Sequence, residues 1–478
     1  MSVQILVQGK IFGAREFLLS AAGEECLLQG RSHWVSLLAE VLPRALIEEL
    51  GLSKMLLGAS GGGQFLLVLP IEARTQAEEF FTGVKTAIGE MSHAQVRLQW
   101  AITENLGDWT VVRKRLNEEM QHKESAGLAA VGASFFDTPP ASAAGYDEYF
   151  SEEMCVKLRQ AQEVSWSPEA PARIGAGPGK HRWSFGSAQA VISSPRHTAP
   201  TDDGETVAGV ELLAKRAEGR DAWGVLLADV DNFGIRLRRA QSIEEYVQLR
   251  VLYKQFFAGE LEVLCSMPLF WRKVTLIDSG GADFAVYGAW DALIALARDM
   301  QRLFEMFSQE NLKDFPGPEG KTITMALALA ATGEATLGEV YEKAVQGLEI
   351  AKSTDKDCFS VLGRILEWKH LADAAEVKDG LTGMVREFGV APEYLRELCG
   401  IYRETRKTGG AKRMEKPWRF HRRLNRILGS GRTREFQKAR TSLIADLVGK
   451  NPAHVKLRPS GRVALEWARL LAGNEDAA

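Results

Sequence analysis

The sequence predicts an α+β protein in which a β-α-β-β-α-β unit occurs twice and a helical segment closes the chain. Three observations carry this reading. The phrase SGGGQF (60–65) and its near-copy SGGADF (279–284) each lie between two short apolar runs, as hairpin tips do. Around each tip, strand-like and helical periodicity alternate in the same order. After residue 364 strand-like runs cease.

In the first copy, VQILVQG (3–9) reads as a strand and residues 31–50 as a helix that Pro43 bends or divides. KMLLGA and QFLLVLP form the hairpin around SGGG. A helix over about 74–90 and the strand QVRLQWAI follow. In the second copy AWGVLLADV is a buried-type strand and SIEEYVQLRVLYKQFFAGELEVL a long helix. VTLID and FAVYG flank the second tip, WDALIALARDMQRLFEMF is a helix and TITMALALA a strand. A helix over 336–353 leads to a last strand, CFSVLG. Both copies thus read as ferredoxin-like, or palm, units. Setting LVQGKIFG (6–13) against LADVDNFG (227–234) puts Gln8 in the place of Asp229 and Lys10 in the place of Asp231.

The expected organisation is a first palm over 1–125, an insert over 126–208, a second palm over 209–364 and a basic helical domain over 365–478. The insert is rich in Pro, Gly and Ser, with a helical island in YDEYFSEEMCVKLRQAQEV. A chain of 478 residues suits three or four such units. The net charge of −3 excludes a chain-wide polybasic binder, so any nucleic-acid surface is local. Five scattered cysteines argue for a reducing compartment and against a CxxC zinc site. MSVQILVQGK lacks a leader pattern and no run reaches the ~18–20 apolar residues of a bilayer span, so the expectation is cytoplasmic, without a membrane.

In a palm, a carboxylate ending the first strand lies beside the neighbouring hairpin tip. Two close carboxylates stay ionised together only with a cation. With Mg²⁺ or Mn²⁺ they hold nucleotide phosphates and activate a 3′-hydroxyl. Glycines at the tip let the backbone approach the nucleotide. The second copy offers Asp229, Asp231 and Asp283, but Ala282 stands where a palm cyclase places a metal ligand, and alanine has no oxygen to give. The first copy has no carboxylate at the corresponding places. The plainer reading of DVDNFG is a strand-end turn with an Asx cap, and a Gly-Gly tip alone is weak. Duplication in palm order outweighs both.

LADVDNFG (227–234), SGGADFAVYGAWD (279–291) and AKSTDKDCFSVLG (351–363) resemble the second palm of the large subunit of type III CRISPR–Cas effector complexes. VQGKIFGAREFLL (7–19), LLQGRSHWVSLLAEVL (27–42) and GASGGGQFLLVLP (58–70) resemble its first palm, closest to the subtype III-A form. The likeness covers roughly residues 3–364. It implies a subunit at the 5′ end of a guide RNA, with target RNA and backbone, guide 5′-end-capping and small helical subunits as partners. The family's second palm makes cyclic oligoadenylates from ATP on a GGDD hairpin, its HD domain cuts single-stranded DNA, and its insert holds zinc. This sequence contains no His-Asp dipeptide, has one insert cysteine (Cys155), and reads Gly280-Gly281-Ala282-Asp283 at the hairpin. The expectation is a scaffold without DNase or zinc, and with cyclase chemistry weak or lost. Asp229 and Asp283 would hold at most one ion. Ser279, Gly280, Gly281, Lys352, Gly61 and Gly62 would still contact ATP, with Lys352 matching the family's lysine near the triphosphate. The alternative is a residual oligoadenylate synthase sharing metal among Asp229, Asp231 and Asp283. A stand-alone diguanylate-type cyclase is disfavoured, since those carry one palm and an acidic residue at the place of Ala282.

In WRFHRRLNRILG, Arg419, Arg422, Arg423 and Arg426 fall at i, i+3, i+4 and i+7, which gives one helical face of guanidinium groups. Such a stripe attracts phosphates, and the reading assigns it to RNA. The plainer alternative is a solvated face. The loop RETRKTGGAKRMEK adds a basic run. His33 is expected to be packed or capping, Trp223, Trp290 and Trp368 to be core or interface aromatics, and Cys265 and Cys358 to be buried.

Overall fold

A computed structural model describes residues 4–20, 25–131, 148–185, 192–194, 196–407, 417–429, 433–448 and 458–473. The first unit runs β1 (Gln4–Phe12), α1 (Ala14–Leu19), α2 (Glu25–Glu49), β2 (Leu57–Gly61), β3 (Gln64–Pro70), α3 (Arg74–Met91) and β4 (Arg97–Glu104). Its sheet order is β2-β3-β1-β4, with β1 antiparallel to both neighbours. That order is the ferredoxin-like one. Helix α2 starts six residues before the expected point and continues through Pro43 unbroken. Its Trp34, Leu38, Leu42 and Leu46 are all buried, and this tertiary packing outweighs the missing N–H of one proline.

Helix α4 (Trp109–Val131), unread in the sequence, follows β4. Its buried Trp109, Val112, Leu116 and Met120 belong to one apolar core with Leu6, Leu66 and Ala101 of the first sheet and Tyr246 and Leu249 of the second unit. The two units therefore share a core as well as a topology.

The insert supplies α5 (Glu152–Gln160), inside the expected helical island, and the hairpin β5 (Glu163–Trp166)–β6 (His181–Ser184); the hairpin was not read in the sequence. Its Tyr149, Phe150, Trp166 and Trp183 lie in the core of the first unit. Trp34 Nε1 donates to the Ala172 carbonyl at 2.8 Å. The segment expected as a small domain thus completes the first palm's hydrophobic core. Cys155's side chain lies outside the described residues.

The second unit begins with α6 (Val210–Lys215), β7 (Ala222–Val230), α7 (Phe233–Arg239) and α8 (Ile243–Gln255), which passes through one π turn into α9 (Leu261–Cys265). It continues with β8 (Val274–Ser279), β9 (Asp283–Ala289), α10 (Trp290–Asn311), β10 (Ile323–Ala331), α11 (Leu337–Thr354), β11 (Cys358–Val361) and β12 (Arg364–Glu367). The sheet order is β12-β11-β10-β7-β9-β8, so its last four strands repeat the first unit's pattern. Strand β12 corrects the expectation that strands end at residue 364. ArgIleLeuGlu is too short to show periodicity, and pairing with β11 makes it a strand.

Helices α12 (Trp368–Arg386), α13 (Glu393–Lys407), α14 (Pro417–Ile427), α15 (Arg434–Val448) and α16 (Pro459–Leu471) complete the chain. Trp223 and Trp290 are fully buried, Trp368 stacks on Phe359 at 5.1 Å, and Cys265, Cys358 and His33 are buried. No described helix is long and apolar enough to cross a membrane.

Candidate nucleotide cleft between the two palms

The two glycine hairpins meet tip to tip. A Cβ on Gly62, whose φ is +58°, would lie 2.6 Å from Gly281 Cα, and one on Gly61 would lie 3.3 Å from the Gly280 carbonyl oxygen. Only glycine tolerates both the approach and the left-handed backbone at Gly62. Beside this contact opens a cleft of about 200 Å³ lined by Ser60, Gly61, Gly62 and Gln64 from one palm and Asp229, Phe233, Gly280, Gly281, Ala282 and Asp283 from the other. Arg250 and Lys254, one turn apart on α8, also line it.

The sheet registers revise the alignment of the repeats. Asp229 pairs with Asp283 across β7 and β9, and Lys10 pairs with Gln64 across β1 and β3. The next residue repeats the match, because Val230 N–H donates to the Ala282 carbonyl at 2.9 Å and Ile11 N–H to that of Gly63 at 2.8 Å. Lys10, not Gln8, therefore stands in the place of Asp229. Aligning on Phe-Gly misled by two residues because Phe233 already belongs to a helix, whereas Phe12 still ends its strand. The first palm thus carries a cation where the second carries a carboxylate.

The predicted acidic residues separate. Asp229 and Asp283 come together at the cleft. Asp231 does not: it is 1 % exposed, and its carboxylate accepts from the Thr322 and Thr324 hydroxyls, both at 2.8 Å, and from the Asp357 N–H at 3.0 Å. It ties the end of β7 to the start of β10 and of β11 through long-range bonds rather than capping its own turn. Ser279 also turns inward, its hydroxyl donating to the Phe257 carbonyl at 2.8 Å. The Ala282 methyl is buried.

Asp229 is ion-paired with Lys352 of α11. Burial nevertheless holds the Asp229 carboxyl above its ordinary value, with Asp231 adding repulsion. Asp283 keeps solvent contact, but the protein atoms around it strip its hydration, and Asp278 and Asp229 repel it, so its pKa is pushed up to about 7. Sequence reasoning missed Asp278. The aspartate in VTLIDS follows a bulge in β8, and its side chain accepts from Ser36 of α2 at 3.3 Å.

It also missed the ion network that joins the palms. Glu40 of α2, buried, meets Arg44 at 2.9 Å and Lys254 of α8 at 2.5 Å, and accepts from the Ser60 hydroxyl at 2.9 Å. Burial alone would raise the Glu40 pKa, but Lys254 and Arg44 bring it below the ordinary value. Arg250 donates to Gln64 Oε1 and to the Gly61 carbonyl, both at 3.1 Å. The spacing of Arg250 and Lys254 on a helix was a readable signal.

These donors do not fit a pair of divalent ions. Mg²⁺ demands near-octahedral oxygen ligation. One of the two cleft carboxylates is already bound to Lys352, Ala282 has no side-chain oxygen, the Ser279 hydroxyl is turned onto the Phe257 carbonyl, and among the described residues no group of three or more His, Cys, Asp or Glu could hold a metal.

On α14, Arg422 and Arg426 are exposed, Arg423 is half-buried and Leu424 is buried, as is Leu428 just after the helix. The side chain of Arg419 and residues 408–416 of the basic loop lie outside the described residues.

Twin ferredoxin-like sheets meeting at glycine hairpins, with a strand-end carboxylate pair on one side, define a paired-palm protein of the nucleotidyl-cyclase kind. Residues 222–360 match the second palm domain of Cas10/Cmr2, and residues 3–123 match Csm1 subunit domain B. The chain belongs to this Cas10/Csm1 family of type III CRISPR large subunits. It is 23% identical over 372 residues to the CRISPR system single-strand-specific deoxyribonuclease Cas10/Csm1 (subtype III-A) of Enterococcus italicus. That match covers 65% of this chain and 48% of the relative, so the chain spans about half the length of the curated relative it matches. Among solved structures, Csm1 of T. onnurineus is similar with a TM-score of 0.72 at 15% identity, covering 98% of this chain and 70% of that one. A Csm1–Csm4 cassette in complex with AMPPNP gives 0.71 at 15% identity, covering 99% and 70%. The Csm1–Csm4 subcomplex of the type III-A CRISPR–Csm interference complex gives 0.69 at 15%, covering 98% and 70%. These likenesses describe the fold.

Proposed function

We propose that this chain is the large subunit of a type III RNA-guided interference ribonucleoprotein in the cytoplasm. It acts mainly as a scaffold at the 5′ end of the guide RNA and keeps a nucleotide cleft between its palms. The observation that carries the reading is the pair of intact palms closed on each other through Gly62 and Gly281, while Ala282 leaves the cleft short of a carboxylate. Similar chains occur in Csm1–Csm4 cassettes, which supports a guide-capping subunit as partner. Arg422 and Arg426 offer a phosphate-facing helix surface for guide or target RNA. ATP is the expected ligand, because similar cassettes were solved with AMPPNP and with one ATP. Gly280 and Gly281 would admit the nucleotide backbone-close, and Arg250, Lys254 and Lys352 would face its phosphates. Co-expression with guide RNA and partner subunits, followed by size exclusion, tests the scaffold. The chain is expected to elute with RNA and partners, and elution alone refutes the reading.

A second reading rests on Asp229 and Asp283, which stay paired at the cleft. It is a residual oligoadenylate synthase activated by target RNA. Labelled ATP with Mg²⁺ or Mn²⁺, before and after Ala282→Asp, separates the two. Product before the substitution favours synthesis.

A further inference from the structure

Paired strand-end carboxylates in a palm ordinarily hold magnesium, and the residues present do not supply a cage for it. What they supply is positive charge from side chains. Lys352 already neutralises Asp229, occupying a carboxylate oxygen that a metal would need. Lys254 and Arg250 line the same cleft from α8, whose lining carboxylates are Asp229 and Asp283; Glu40 stands behind Lys254 as its ion-pair partner, and Arg250 holds Gln64 and the Gly61 carbonyl. The palm opposite contributes a glutamine, Gln64, at the position matching Asp283, and Lys10 at the position matching Asp229. Ammonium and guanidinium groups are established phosphate ligands, Lys as a point charge and Arg as a planar fork.

We infer that this cleft takes the polyphosphate of a nucleoside triphosphate on Lys352, Lys254 and Arg250, with no divalent metal ion required. This rests on the nucleotide reading above. Lys352 is the central residue, because it sits on the carboxylate that would otherwise recruit the metal. A metal entering at Asp229 must first displace an ammonium group from a partly buried ion pair. The cleft thereby becomes a nucleotide-binding pocket rather than a reaction centre, since it lacks the ion that phosphoryl transfer needs.

The test is calorimetric titration of the full chain with ATP, in EDTA and in saturating Mg²⁺, with adenosine as the comparison ligand. The expected result is an ATP Kd that differs by less than about threefold between the two conditions, and adenosine weaker by more than about tenfold. Lys352→Gln is expected to weaken ATP about tenfold in EDTA, and Lys352→Arg to recover most of that loss. Thermal melts of each variant confirm folding. If Lys352→Gln unfolds, the wild-type comparison of EDTA with Mg²⁺ decides alone. ATP binding that appears only with Mg²⁺ overturns the inference and leaves the nucleotide reading standing. Binding in neither condition removes the nucleotide reading, and the inference with it. A folded Lys352→Gln chain that binds ATP as tightly as the wild type in EDTA overturns the role given to Lys352.

Discussion

Replacing Glu40 with glutamine probes how the palms are held together. The substitution keeps the shape and removes one charge. In the native chain that charge is buried and faces two cations, Arg44 at 2.9 Å on its own helix and Lys254 at 2.5 Å on the other palm. Both cations are largely buried, so glutamine leaves two positive groups facing each other with little water. Breaking a buried pair by removing one partner costs about 3–5 kcal/mol. The remaining amide can still accept from Ser60 or Lys254, which argues for the lower end, about 3 kcal/mol, or two decades in the folding equilibrium. Urea unfolding followed by tryptophan fluorescence measures it. A cycle with Lys254→Met then isolates the inter-palm pair, with an expected coupling of at least ~1.5 kcal/mol. The pH dependence has a definite sign. The Glu40 pKa lies below its ordinary 4.5 in the folded chain, so the stabilisation is fully present above that value and is lost as pH falls through the folded pKa. The gap between wild type and Glu40→Gln should therefore stay constant at neutral pH and close under acid. A loss below ~0.5 kcal/mol, or strict additivity in the cycle, refutes the view that this network fastens the palms.

Three further predictions follow from the same geometry. Gly62→Ala forces a Cβ to within 2.6 Å of Gly281 at a φ of +58°, and should cost at least ~2 kcal/mol by the same unfolding assay. Asp231→Asn should destabilise by about 1–3 kcal/mol through loss of its Thr322 and Thr324 contacts, yet leave the ATP Kd unchanged in calorimetry. Charge reversal at Arg422 and Arg426 should flatten the salt dependence of guide-RNA binding by ~0.7 per lost phosphate contact, read as the slope of log K against log salt.

Much of the fold is visible in local pattern. Strand and helix patterns around SGGGQF and SGGADF revealed the duplicated unit, because a half-buried strand and an amphipathic helix each impose a period on the chain and a fully buried strand leaves a short apolar run. Helix α4 carried the same signal in Trp109, Val112, Leu116 and Met120 and went unread because it lies beyond the repeat. Strand β12 was not legible, since four residues show no period. The site was half legible. Asp229, Asp283 and both glycine tips do converge, whereas Asp231 looks equivalent on the strand but faces threonine hydroxyls. Residues i and i+2 share a face only while a strand continues, and β7 ends at Val230, between the two aspartates of DVDNFG.

From its residues alone this protein declares two palm units, the glycines their tips require and the missing oxygen at Ala282, since these depend on spacing and side-chain chemistry. The tertiary structure decided which residues meet across the seam: Glu40 with Lys254, Lys352 with Asp229, Gly62 with Gly281, and Lys10 rather than Gln8 opposite Gln64. Pairing between segments distant in the chain is set by sheet register and packing of a shared core, and neither leaves a periodic trace in the chain.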